Sequence, residues 1–144
     1  MTGADDVRDL LGLYCQHLDD GRTAELAGLF CEDAQLTVMG KVLRGRAAIQ
    51  AWFEGMAGTP ALMVHLTANS VVDVSVADGR ATIRSNWSTL RLGPISKVWS
   101  VFAVGTYVDE VVRSNDGWSF LTRVDSVLGD FTLQETVAAY LAAD

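Results

Sequence analysis

Apolar residues near the start of the chain recur at helical spacing. Val7, Leu10, Leu11, Tyr14 and Leu18 fall on one stripe, the pattern of an amphipathic helix laid against a core. Asp19, Asp20 and Gly21 carry turn chemistry and end it. A second helix is predicted from Thr23, whose hydroxyl can cap it, through Leu26, Leu29 and Phe30. Residues 34–42 read as a short strand or a hairpin broken at Gly40. Gly45 opens a third helix, with Ala48, Ile49, Trp52, Phe53 and Met56 at helical spacing, and Gly58 and Pro60 stop it.

The period then changes. Strand-like runs cover 62–76, 79–92, 98–113 and 118–128. Asp78-Gly79, Gly93-Pro94 and Ser114-Asn115-Asp116-Gly117 mark the turns between them. Thr132 and Glu135 form a capping box that predicts a short last helix to about Leu141. Helices in front and an antiparallel meander behind make a single α+β domain over residues 1–144. The expected architecture is a cone: a curved antiparallel sheet of four long strands and a short one, packed on three N-terminal helices, with a short C-terminal helix. Runs this long bend where a glycine such as Gly105 allows it. A curled sheet closed by helices leaves a mouth suited to a small-molecule pocket.

The net charge of −7 argues against nucleic acid or an anionic membrane as partner, because both repel an acidic surface. Neither a membrane-spanning run nor a signal-peptide pattern is present, and the two cysteines, Cys15 and Cys31, are expected as buried free thiols. A cytoplasmic setting is therefore expected. No nucleotide-binding loop and no metal-ligand spacing occurs, so no cofactor and no metal are expected.

The candidate chemistry lies in a few polar residues at apolar positions. Tyr14 sits within the first helix's stripe, which points its hydroxyl into the fold, and Asp19 follows at the helix end. His65, Thr67 and Asn69 alternate along one strand face, and a polar face needs a wet or ligand-filled neighbour. Abstracting a proton next to a carbonyl needs a base such as histidine, and the developing enolate needs a donor such as a buried tyrosine. Each residue also has a structural reading: Tyr14 as a core aromatic, Asp19 as a helix terminator that must reach inward through the turn, His65 as a satisfied core histidine. His17 points off the stripe and is expected to be exposed. Arg123 could bind an anionic group, with pairing to Asp125 the structural alternative, while Asp109 and Glu110 are expected to be solvated. Trp52, Phe53, Trp87 and Tyr107 are expected to line the pocket with Asn69 and Arg123.

Tyr14 with Asp19, the Leu29-Phe30 to Asp33-Ala34 step, Gly45-Arg46, and His65-Leu66-Thr67-Ala68-Asn69 carry a resemblance, as do Gly105, Tyr107, Asp109 and Trp118. On these residues the chain resembles the SnoaL-like branch of the nuclear transport factor 2-like superfamily, nearest the scytalone dehydratase and bile-acid dehydratase type. The resemblance implies a metal-free dehydratase with His65 as general base and acid, Tyr14 as carbonyl-oxygen donor and Asp19 orienting His65. It also implies a hydrophobic, aromatic or polycyclic substrate and a homodimer. A polyketide-type cyclase, using Asp125 or Asp109, or an isomerase is the alternative in the same cavity. A non-catalytic ligand-binding or oxygenase small-subunit-like scaffold is the alternative of another class. The neutral stretch 36–40 lacks the carboxylate of ketosteroid isomerases, and Arg123-Val124-Asp125 lies in the wrong strand for a limonene-type epoxide hydrolase. A dimer is expected on physical grounds too, because Ile83, Trp87, Val101 and Val111 cannot all fit one cavity.

Overall fold

The computed structural model describes residues 3–57, 62–75 and 78–129. The predicted C-terminal helix from Thr132 lies outside the described residues, as do Gly58 and Pro60. The order of elements is α1 (Gly3–Asp19), α2 (Thr23–Gly28), β1 (Phe30–Val38), β2 (Lys41–Arg44), α3 (Arg46–Met56), β3 (Met63–Ser75), β4 (Arg80–Leu92), β5 (Trp99–Ser114) and β6 (Gly117–Val127). One six-stranded sheet in the order β2-β1-β6-β5-β4-β3 curls against the helices, the cone-shaped α+β architecture that the patterning implies.

The differences have local causes. The second helix stops at Gly28, not Phe30, and Arg22 rather than Thr23 is its N-cap. Phe30 is drawn into β1 because its ring packs 5.1 Å from Phe120. The Arg46 guanidinium donates twice to the Phe30 carbonyl, at 2.9 and 2.8 Å, tying the start of α3 to this step. The broken strand at Gly40 is a hairpin, turned by Met39 and Gly40, which both have positive φ. The sheet is not wholly antiparallel: β1 runs parallel to β6. Helix α3, which separates β1–β2 from the meander, makes that arrangement possible without a tight turn.

Strands β3 to β6 alternate as half-buried strands should, and their inner faces line up across the sheet in rows. Ala81, Val111 and Phe120 share the apolar end. Next come Ile83, Asp109 and Arg123, and then Ser85, Tyr107 and Asp125. Thr67, Trp87, Gly105 and Val127 form the following row, and His65, Thr89 and Ala103 the one nearest the mouth. Ile83, Trp87 and Val111 are thus buried in the interior, contrary to the expectation that they compete for an outer face; only Val101 of that set is exposed. Outward-facing apolar residues are instead Leu66, Val71, Val104, Val108 and Val124. Gly105 is required: a Cβ there would stand 2.3 Å from the Trp87 ring and 2.2 Å from the Ser126 carbonyl oxygen. None of the described helices is long and apolar enough to cross a membrane.

Candidate active site

Helix α1 lies along the edge strand β3 and is joined to it at two successive turns. Cys15 Sγ lies 3.3 Å from Thr67 Oγ1. Four residues further along α1, Asp19 meets His65, with Oδ1 2.6 Å from Nδ1. Asp19 also accepts from the His65 backbone N–H, at 3.2 and 3.0 Å to its two oxygens. The carboxylate therefore fixes both the ring and the strand that carries it. An ionised carboxylate only accepts, so Nδ1 carries the proton and Nε2 is left as the acceptor.

Both side chains are about one-fifth exposed and open on a cavity of about 460 Å³. Leu11, Gly12, Cys15 and Gln16 supply its helical wall, and Val64, Leu66, Thr67 and Ser70 its strand wall.

Tyr14 is not among the residues lining that cavity. It stands one layer further in, its ring 5.9 to 6.2 Å from those of Phe30, Phe53, Tyr107 and Phe120. Burial pushes the Tyr14 phenol well above its ordinary pKa, opposed by the neighbouring Arg123. The hydroxyl keeps its proton throughout the neutral range.

Arg123 is not free to meet a ligand as a surface cation, nor is Asp125 its salt-bridge partner. It pairs with Asp109 through Nε at 2.8 Å and Nη2 at 3.1 Å, both side chains being fully buried. Asp109, expected to be solvated, is held here because it faces Arg123 directly across β5 and β6. Its pKa is raised by burial, against the pull of the guanidinium. The Arg123 guanidinium lies 3.7 Å from the centroid of the Tyr107 ring, 4.1 Å from Tyr14 and 4.4 Å from Phe120. Burial favours its neutral form, but Asp109 and the two tyrosines outweigh that and hold it charged.

Asp125, expected as a structural partner of Arg123 or as the base of a cyclase, sits on the inner face of β6 in register with Tyr107. Its carboxyl is pushed up to about 6 by burial, offset by Arg123, Trp87 and His65. A hydrogen bond from the Trp87 indole is among the contributions that hold it down.

The remaining expected residues divide between the interior and the surface. Phe53, Trp87 and Tyr107 are buried in the core. Trp52 lies toward the β1–β2 hairpin, with Lys41 Nζ 5.4 Å over its ring. Asn69 does not reach the interior: it sits exposed at a β-bulge with φ of 52°, its side chain 3.5 Å from Asn86 on the outer face. The bulge breaks the alternation that placed it beside His65 and Thr67. His17 is half-buried rather than exposed. Cys15 is buried and Cys31 half-buried, both free.

This cone is the nuclear transport factor 2-like fold. The sequence matches the SnoaL-like domain family over residues 2–124, and the chain belongs to that family. No curated protein sequence matched it. Among solved structures, it is similar to a nuclear transport factor 2-like protein with a cystatin-like fold from Novosphingobium aromaticivorans, at 25% identity and TM-score 0.75, covering 93% of this chain and 86% of that one. A candidate scytalone dehydratase from the same organism is 24% identical, with TM-score 0.76, covering 90% and 88%. The beta subunit of a candidate aromatic-ring-hydroxylating dioxygenase, also from that organism, is 16% identical, with TM-score 0.75, covering 92% and 94%. The last two likenesses establish the fold alone.

Proposed function

We propose that this chain is a cofactor-independent acid/base enzyme that eliminates water next to a carbonyl on a small hydrophobic, aromatic or polycyclic substrate. The observation that carries the reading is the 2.6 Å contact between Asp19 and His65 Nδ1 at the wall of a cavity. Nε2 takes the proton α to the carbonyl, and the imidazolium returns a proton to the departing hydroxyl. Asp19 holds the tautomer and stabilises the imidazolium. Tyr14, kept protonated by burial, donates to the developing enolate of a substrate that enters past Cys15.

The test uses 3-hydroxy-1-tetralone, whose loss of water gives 1-naphthol after tautomerisation. The protein is expected to accelerate naphthol formation, and His65→Ala to reduce the rate by about 10²–10⁴-fold. An unchanged rate in His65→Ala would remove the imidazole from the reaction. Failure of the wild type to accelerate this elimination would overturn the dehydratase reading for tetralone-type substrates.

A second reading, a cyclase or isomerase, is favoured by the placement of Asp125 on the inner sheet face in register with Tyr107, where burial raises its carboxyl to about 6. That value suits proton transfer near neutral pH. We further propose a two-fold dimer through the outer sheet face, where Val71, Arg84, Val108 and Val124 stand in register across β3 to β6. The free thiols of Cys15 and Cys31 fit the cytoplasmic setting proposed for it.

A further inference from the structure

Helix α1 and strand β3 run in opposite directions along the cavity of the Asp19–His65 pair. Asp19 meets His65 and, one turn back along the helix, Cys15 meets Thr67, further along the strand. The lining continues past that second tie, to Gly12 and Arg8 on the helix and Ser70 on the strand. At about 1.5 Å per helical residue, Gly12 stands roughly 10 Å from Asp19 along the axis. At about 3.3 Å per strand residue, Ser70 stands roughly 16 Å from His65. The cavity is therefore a groove, with the imidazole at one end.

On α1, Arg8, Gly12, Cys15 and Asp19 follow one another at helical spacing and form a single stripe facing this groove. Gly12 lies within that stripe and leaves its middle without a side chain. Its backbone does not call for glycine, being helical and outside the positive-φ positions. Packing does not call for it either: a Cβ there would meet nothing within 4 Å. Glycine inside a helix weakens it relative to alanine. What the missing side chain does provide is bare backbone at the groove wall, on which a flat group can lie directly. Leu11 and Val64 make the adjoining walls apolar, so that group is itself apolar.

We propose that Gly12 sets the length of ligand this protein accepts. The ligand is elongated: one ring is held between His65 and Cys15, and a second, apolar ring lies on the α1 backbone at Gly12. Gly12 is then a specificity-determining residue that takes no part in proton transfer. This rests on the reading that the cavity takes a small aromatic ligand, but not on catalysis.

Equilibrium dialysis of the full chain with 1-tetralone and 6-phenyl-1-tetralone tests it. The phenyl compound should bind at least about tenfold more tightly, because its extra ring leaves water for the groove. Gly12→Leu puts a side chain where that ring would lie. It should weaken the phenyl compound by about tenfold or more and leave 1-tetralone within about threefold of the wild type. Gly12→Ala should raise the melting temperature by about 2–4 °C, since its Cβ meets open space, and weaken the phenyl compound by about threefold. Should Gly12→Leu not fold, the alanine variant carries the test. Equal affinities of the two compounds in the wild type, or no binding of either, would overturn the proposal. So would a phenyl preference that survives in the folded Gly12→Leu protein, or in Gly12→Ala where leucine is not tolerated, or an equal loss of both compounds. A length preference in a protein that eliminates no water would leave the groove standing and fell the dehydratase reading. Elimination that depends on His65, with no length preference, would do the reverse.

Discussion

Replacing Asp125 by Asn should make this protein more stable, and only above the acid range. Burial raises the Asp125 carboxyl from 3.8 to about 6, with Arg123, Trp87 and His65 holding it back from going higher. The folded state therefore keeps a proton that the unfolded chain loses about two pH units lower. Stability falls as the pH rises from about 4 to about 6, and above that the full penalty of a buried carboxylate persists. At roughly 1.4 kcal/mol for each pH unit, the ceiling is about 3 kcal/mol. Asparagine stands in for the protonated acid and never acquires the charge. Urea unfolding of both proteins across pH 3.5 to 8.5 isolates this group, because every other titration is common to the pair. The variant should gain up to about 3 kcal/mol at pH 8, with the difference shrinking toward zero below about pH 4. An equal difference at all pH values, or a variant destabilised at pH 8, would refute the argument. A carboxylate retained against its own cost to the fold is what a site needs and a core does not.

Other perturbations have equally definite outcomes. Asp109→Ala leaves the Arg123 guanidinium charged and buried without its partner, and should cost about 3–5 kcal/mol by denaturant unfolding. Gly105→Ala places a methyl group against the Trp87 ring and the Ser126 carbonyl, and should lower stability by about 1–3 kcal/mol and disturb the near-ultraviolet spectrum of the indole. Val108→Glu, on the exposed outer face, should leave the fold intact but convert the proposed dimer to a monomer in sedimentation; an unchanged sedimentation coefficient would place the interface elsewhere.

Periodicity made much of the fold legible. The stripe from Val7 to Leu18, the Asp-Gly turns and the long alternating strands each declared themselves locally. What escaped was set by tertiary pairing. The helical spacing through Phe30 gave way to an aromatic contact with Phe120, and the parallel meeting of β1 and β6 leaves no local trace. At the site, Asp19 and His65 could be paired from resemblance and from the need for a base with an orienting acid. Asn69 was misplaced because one bulge residue inverts every alternation beyond it. The Asp109–Arg123 pair went unseen for a similar reason: its partners are cross-strand neighbours only once the β5–β6 register is known. Resemblance points to Asp125 as a cyclase base, but its place beside Tyr107 on the inner face follows only from the β5–β6 register.

Catalysis by His65 requires Asp19 to fix its imidazole with Nδ1 protonated and Nε2 free to act as a base. Nitrogen-15 NMR of the side chains in alkaline buffer reads this directly. The chain holds only two histidines, and His17→Gln assigns the signals. The neutral His65 ring should carry its proton on Nδ1. A ring protonated on Nε2 would contradict it, because the nitrogen meant to accept the substrate's proton would already hold one.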